Sequence, residues 1–575
     1  MKSVLRYLKD YKKESILAPL FKMLEASFEL IVPLVMASII DVGIKNSDRV
    51  HIVKMSAVLV LLGAVGLCAA ITAQYFAAKA ATGFSAKLRH ALFEHIQDFS
   101  FSQIDLFGTD TLINRMTSDI NDVQGGVNMF LRLFMRSPFV VFGAMIMAFT
   151  VDVKAAFIFV VTIPLLSIVV FFILLWTIPL YKDVQNKLDK VMTSTRENLT
   201  GVRVIRAFNR EESEKNLFKD RNQTLDRAQQ YVGAISGVMN PLTYLMINVA
   251  TVILIYTGAV RIDIGILTQG QVIALLNYMS QILIELIKLA NLIIQITKAI
   301  ACGNRIATVL ETRTDMVDGT QKINVENSEL AVEFDNVSLL YEKDGEAVLE
   351  NMSFSVKKGQ TVGIIGGTGS GKTSLISLIP RFYDATSGQV RLFGQDVKQY
   401  SIEDLRSHIG IVLQKAELFK GTIADNLKWG DENASIDEIN KALDISQARE
   451  FVEQKNGKTD FMIEQNGRNL SGGQKQRLTI ARALMKKPDI LILDDSASAL
   501  DFATDAKLRM AIAENAGNMT TFIVSQRAAS VQNADLILVL DEGKIAGMGT
   551  HDKLLEDNEV YQEIYYSQFP KEDVM

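Results

Sequence analysis

Cysteine is nearly absent from this 575-residue chain: Cys68 and Cys302 are its only two. No disulfide framework can be built from them, and both sit among apolar or small neighbours, where inert packing is the expected role. Histidine is scarce too, with five in all. Positive charge is not in excess, since 60 Lys and Arg against 65 Asp and Glu leave a net charge of −5. That balance gives no reason to expect nucleic acid as a partner. The N-terminal stretch MKSVLRYLKDYKK is basic but lacks the short apolar core and small-residue cleavage site of a removed signal peptide. It reads as a cytoplasmic flank.

Unbroken apolar sequence is plentiful, and it is concentrated in the first half. Residues 55–73 (MSAVLVLLGAVGLCAAITA) and 155–180 (AAFIFVVTIPLLSIVVFFILLWTIPL) carry no charge. A bilayer span needs about 20 such residues. The pattern predicts six membrane helices, at about 15–41, 53–82, 128–150, 154–180, 241–261 and 270–298. Two connections are long, about 83–127 and 181–240, and the second carries eleven Lys and Arg between Lys182 and Arg227. The positive-inside bias puts both long loops and both termini in the cytoplasm, in a multi-pass protein of the cell membrane. Both loops have helical spacing, so the spans are expected to continue well beyond the bilayer.

Charge inside a span costs several kcal/mol. Glu25 and Glu29 lie four apart on one face of the first span, and Glu285 and Lys288 lie three apart in the last. Two readings stand open. The carboxylates are paired locally, Glu25 with Lys22 for example, or Glu25, Glu29 and Glu285 line a cavity that takes cationic, apolar molecules.

From about Leu330 the composition becomes that of an ordinary globular domain. The stretch TVGIIGGTGSGKTSLISLI reads as strand, glycine-rich loop and helix start, and fits G-x-x-x-x-G-K-[ST] at Gly366, Gly371, Lys372 and Thr373. Glycines let backbone N–H groups turn onto phosphate oxygens at the positive end of the following helix. The candidate ATP cradle is therefore Gly366, Gly367, Thr368, Gly369, Ser370, Gly371, Lys372, Thr373 and Ser374. Lys372 is expected to reach the β and γ phosphates and Thr373 to ligate Mg²⁺. Asp494 ends the apolar strand ILILD and is expected to hold the metal through water.

A phosphate loop leaves many nucleotide-hydrolase classes open, and residues 469–484, NLSGGQKQRLTIARAL, narrow them. That stretch resembles the signature of the ATP-binding-cassette family. Further landmarks of the family follow in this sequence. Tyr341 in VSLLY resembles the aromatic that stacks on adenine. Gln414 in IGIVLQ resembles the glutamine that touches Mg²⁺ and senses the γ-phosphate, and SALD (498–501) resembles the loop that crosses the dimer interface. FGTDTLINRMTSDINDVQ and ENLTGVRVIRAFNREE resemble the cytoplasmic loops that carry coupling helices in exporters of this family. The resemblance covers nearly the whole chain. It implies an α-helical membrane domain of six transmembrane helices with long cytoplasmic extensions (1–315), followed by an α/β P-loop nucleotide-binding domain (316–575). It also implies a half-transporter that works as a dimer, in which Ser471, Gly472, Gly473 and Gln474 of one chain face ATP held by the other.

Two positions depart from the family. A Glu usually follows the metal-binding Asp, and here stands Asp495. A His usually precedes the Arg at the switch, and here stands Gln526. A general base must lie within about 2.6–3.2 Å of the proton it takes. Losing one methylene withdraws the carboxylate by about 1.5 Å, and glutamine can donate a hydrogen bond but cannot take a proton. Both changes spare binding groups and damage chemical ones. The expectation is a degenerate site that holds ATP, in a chain that lends its signature to a second half-transporter carrying Glu and His. Export of small hydrophobic or amphiphilic compounds is the expected task. The alternatives keep the fold: a homodimeric lipid or peptide exporter with slow turnover, or a non-transporting membrane regulator that senses ATP.

Overall fold

The computed structural model describes residues 1–341, 345–496, 498–515 and 517–569. The chain forms two compact units, residues 1–97 with 108–313, and residues 98–107 with 314–575. The second unit thus takes in a ten-residue segment from the first long loop.

Among the described residues, six helices of the first unit are long and apolar enough to cross a membrane: Ser3–Ile44, Arg49–Gln97, Thr109–Val151, Val153–Thr200, Glu211–Asp263 and Gln269–Glu311. They run from 42 to 53 residues, roughly 63–80 Å at 1.5 Å per residue. A hydrocarbon layer is about 30 Å thick, so each continues far into the aqueous phase. The links between the spans at 45–48, 152 and 264–268 are short, as the sequence suggests. Alanine fills the contacts that bring helices together: Ala26, Ala144, Ala148, Ala155, Ala156, Ala250 and Ala274 are all buried. Small side chains let backbones approach where no aqueous hydrophobic effect drives association. Tyr278 is buried among them and donates its hydroxyl to the Leu30 carbonyl at 2.7 Å. Outward-facing Val60, Leu61, Ile71, Phe172, Leu175 and Trp176 are exposed within this unit, which suits hydrocarbon and not water. The chain is a multi-pass membrane protein.

The second unit is built on a six-stranded sheet whose strands lie in the order Lys544–Gly549, Leu536–Asp541, Thr361–Gly366, Thr520–Val524, Ile490–Asp494, Ile409–Val412. All neighbours are parallel except the first pair. Central strands buried on both faces read as apolar runs, and Ile490–Asp494 is buried throughout. A smaller antiparallel sheet pairs Leu330–Leu339 with Leu349–Lys357 and Ser387–Leu392. The register places Val524 opposite both Ile364 and Asp494. Gly366, Asp494 and the residues after Val524 therefore share the carboxyl edge of the sheet, where ligands of open α/β sheets bind.

Candidate functional site and its relatives

The turn after Thr361–Gly366 is possible only because glycine fills its tight positions. A Cβ on Gly366 would lie 2.2 Å from the Leu540 carbonyl oxygen and 2.7 Å from Ser370 Oγ. Gly371 has φ +91° and would drive a Cβ to 2.7 Å from Leu349. Gly367 differs, because a Cβ there meets nothing within 4 Å. The space beside it is open. Gly366→Ala is expected to cost about 1–3 kcal/mol through overpacking and to weaken binding of a fluorescent ATP analogue. Gly367→Ala should leave thermal unfolding unchanged and still weaken that binding. Equal behaviour of the two variants would show that the loop adapts.

Lys372 opens the helix Lys372–Ser377. Its Nζ donates to the carbonyls of Gly366 at 2.9 Å and Gly367 at 2.6 Å. Burial lowers its pKa, with Asp495 and Asp494 opposing that shift. Thr373 Oγ1 donates to Asp494, 3.2 and 3.1 Å from the two carboxylate oxygens. Burial raises the pKa of Asp494 and of Asp495. A divalent cation beside them would offset that burial. These groups, with Thr368, Gly369, Gly371, Ser374, Gln414, Ser525 and Gln526, line one cavity of about 280 Å³. The Thr373 hydroxyl, the Asp494 carboxylate and the Gln414 amide oxygen are hard donors suited to Mg²⁺. Among the described residues no cluster of three His, Cys, Asp or Glu could hold a metal alone. This fits an ion bound jointly with substrate phosphates.

Asp495 follows in a tight turn with φ +44°, a region that Asp tolerates better than most residues. Its N–H donates to the Val524 carbonyl at 3.0 Å, and its carbonyl accepts from Ser498 N at 3.1 Å. The carboxylate lies 3.5 Å from Gln414 Nε2, at the outer limit of a hydrogen bond. Gln526 lines the same cavity, and Ser525 before it donates from its N–H to the Ile364 carbonyl at 3.0 Å. Tyr341 is half exposed and donates its hydroxyl to Ser374 Oγ at 2.9 Å.

The signature lies elsewhere. Ser471 caps the helix Gly472–Met485 through a reciprocal box with Gln474. Ser471 and Gly472 are exposed, and none of residues 471–474 lines the cavity above. Gly473 packs against the 498–501 loop, where a Cβ would sit 3.0 Å from the Ala499 carbonyl. A helix N-terminus set at the surface offers its free N–H groups to an anion brought from outside.

In the membrane unit each acidic residue singled out from the sequence has a cation. Lys22 pairs with Glu25 at 2.5 Å and Lys288 with Glu285 at 2.9 Å. Arg136, from the third span, joins the other elements. It donates to Glu285 at 2.5 Å and Glu29 at 2.6 Å, while Ser137 donates to Glu285 at 2.8 Å. Of the three carboxylates, Glu29 alone keeps a largely open side chain, 43 % exposed against 19 % and 3 % for Glu25 and Glu285. The geometry shows ion pairing. The sequence argument missed Arg136, although an arginine inside a span already calls for a partner.

Comparison with known proteins agrees with this geometry. Residues 15–286 match the ABC transporter transmembrane region and residues 349–498 match the ABC transporter domain. The chain belongs to the ABC transporter family. The transporter is 37 % identical to the uncharacterised ABC transporter ATP-binding protein YfiB of Bacillus subtilis, over 100 % of this chain and 99 % of the relative. It is 29 % identical to the ATP-dependent lipid A-core flippase of Escherichia coli, over 97 % and 96 %. In fold it is similar to a bacterial Atm1-family ABC exporter solved with ATP bound: TM-score 0.81, 22 % identity, 97 % of this chain and 99 % of that one. It is an exporter-type ATPase that binds ATP with Mg²⁺ and couples hydrolysis to movement of substrate across the membrane. Its nucleotide-binding unit is cytoplasmic.

Proposed function

We propose that this transporter works as one half of a heterodimer and supplies the degenerate, ATP-holding site. Asp495 and Gln526 carry the reading. Both line the cavity of the phosphate loop, beside Lys372, Thr373 and Asp494 in usable positions for binding. Tyr341 stacks the base, and Gln414 and Asp494 hold Mg²⁺ with Thr373. The shortened carboxylate of Asp495 and the uncharged Gln526 serve proton removal poorly. The surface-exposed N-terminus at Ser471, Gly472, Gly473 and Gln474 then completes a competent site on a partner chain with Glu and His at the matching positions. Substrates are small hydrophobic or amphiphilic compounds. That class is supported by 31 % identity, over 98 % of both chains, to B. subtilis YgaD, named for a candidate role in multidrug export. Similarity to lipid A-core flippases favours a second reading, a lipid exporter.

The test is steady-state ATPase activity in nanodiscs. The chain alone should bind ATP and turn it over slowly. Paired with the partner half-transporter, it should hydrolyse ATP briskly, and Ser471→Ala should lower that rate by about tenfold or more while sparing ATP binding at Lys372. Brisk turnover by the chain alone would remove the heterodimer.

A further inference from the structure

The C-terminal helix Glu559–Gln568 ends its apolar stripe on a polar residue. Tyr561, Ile564 and Tyr565 recur at helical spacing and pack into the core against strands of the six-stranded sheet. Gln568 continues that stripe one turn further on. The helix is anchored at its start. Asn558 accepts from the Tyr561 N–H at 2.7 Å and donates to the Ala546 carbonyl at 2.9 Å. His551 bonds the Tyr561 hydroxyl at 2.8 Å, and Tyr561 is fully buried. The other end is packed as well, with the Tyr565 and Phe569 rings 4.9 Å apart. The side chain at 568 is therefore delivered to a fixed place.

That place is the stretch carrying Gln526. Gln568 Oε1 accepts the Ala528 N–H at 2.9 Å, and its Nε2 donates to the Gln526 carbonyl at 2.8 Å. An amide holds an acceptor and donors on one head, so it can bridge an N–H and a carbonyl. A carboxylate or an ammonium cannot. The Ala528 N–H opens the helix Ala528–Val531, whose N-cap Arg527 makes no side-chain cap. Such an N–H has no partner within its own helix, and Gln568 supplies one from 40 residues away. The stretch is also held from the other side. Ser525 bonds the Ile364 carbonyl through its N–H, and its Oγ accepts from the Arg527 N–H at 3.0 Å. Arg527 donates to the Leu500 carbonyl at 3.3 Å. Gln526 thus stands between an anchor on the sheet and one on the C-terminal helix, exposed and lining the phosphate-loop cavity.

We propose that Gln568 is a positioning residue for Gln526, and that through it the C-terminal helix sets how strongly the phosphate-loop site prefers ATP to ADP. The proposal rests on the reading of Gln526 as the group that meets the γ-phosphate. Gln568 does not line the cavity, so it acts through the peptide unit it grips. A full charge at the switch position would attract the γ-phosphate over a distance. A neutral amide contributes only within hydrogen-bond reach and at a good angle. Its worth is therefore set by where its backbone is held, and Gln568 holds the carbonyl of that same residue. A hydrogen bond from the amide to phosphate is charge-assisted and of the stronger kind. ADP lacks the γ-phosphate and gains nothing from it. No hydrolytic step is needed, so the device works in a site that holds ATP without cleaving it.

The test is equilibrium binding of ATP and of ADP to the full chain in nanodiscs, without Mg²⁺ so that no ATP is consumed. Gln526→Ala should lower the ATP-over-ADP affinity ratio by about tenfold, through loss of a hydrogen bond to a charged group. Gln568→Ala should lower the ratio by about fivefold with ADP affinity unchanged. In a Gln526→Ala background, Gln568→Ala should change the ratio by less than about twofold, because the two residues act in series. A parental ratio in Gln568→Ala, where Gln526→Ala lowers it, overturns the proposal. Equal weakening of ATP and ADP overturns it too, since a merely structural role would spare neither nucleotide. So does a Gln568→Ala effect that keeps its full size once the Gln526 side chain is gone. A parental ratio in Gln526→Ala would instead overturn the γ-phosphate reading beneath it.

Discussion

Restoring the two chemical groups, with Asp495→Glu and Gln526→His together, is expected to raise the ATPase rate of the purified chain by about 100-fold. The backbone at 495 is held by hydrogen bonds to Val524 and Ser498, so a longer side chain extends into the cavity without moving the turn. The added methylene advances the carboxylate by about 1.5 Å, and a misplacement near 1 Å can cost on the order of 100-fold in rate. The histidine adds a group able to carry charge where Gln526 lines the same space. The binding groups are untouched, so KM for ATP should change little while kcat rises. Each single substitution should give much less than the pair, because the attacking water must be both oriented and deprotonated. Single-turnover and steady-state rates on the isolated chain check this. A double variant no faster than the parent would mean that the slow step lies outside these positions, and the degenerate-site reading would fall.

Arg136→Ala should unfold more easily by about 3–5 kcal/mol, the usual cost of stripping one partner from a buried ion pair. Its guanidinium reaches two carboxylates, and the Arg136 and Glu285 side chains are only 8 % and 3 % exposed. Lys288, half exposed, and the Ser137 hydroxyl cannot replace a charge at that depth. Replacing the pair together, Arg136→Met with Glu285→Leu, should recover much of the loss, since an apolar pair of similar volume needs no compensation. Thermal unfolding of the solubilised protein measures both. Arg136→Ala within about 1 kcal/mol of the parent would show that the cluster is hydrated and weak. In that case Glu29, the open member, becomes the residue to test against cationic substrates.

The residue order alone determined the parts whose geometry is local. A loop of glycines between strand and helix, an Asp at a strand end and a serine at a helix start all act through neighbouring peptide units. Within each motif the spacing in sequence fixes the local geometry, but that Thr373 meets Asp494 across 121 residues is decided by the order of strands in the sheet. The six spans are legible for the same reason, because about 20 apolar residues are one bilayer crossing whatever they pack against. The substitutions at 495 and 526 are legible as chemistry, since carboxylate length and proton capacity belong to the side chain.

Only the tertiary structure decided what lies across from what. Arg136 reaches Glu29 and Glu285 over sequence separations of 107 and 149 residues, and Tyr383 meets Asp105 over 278. Neither pairing leaves a periodic trace, because it depends on how far each helix is rotated and how deeply it packs. The assignment of residues 98–107 to the nucleotide-binding unit is of the same kind. A seven-residue helix, Phe101–Phe107, is too short to persist alone in water. Its place is set by the aromatic surface at Phe382 and Tyr383 on which it rests.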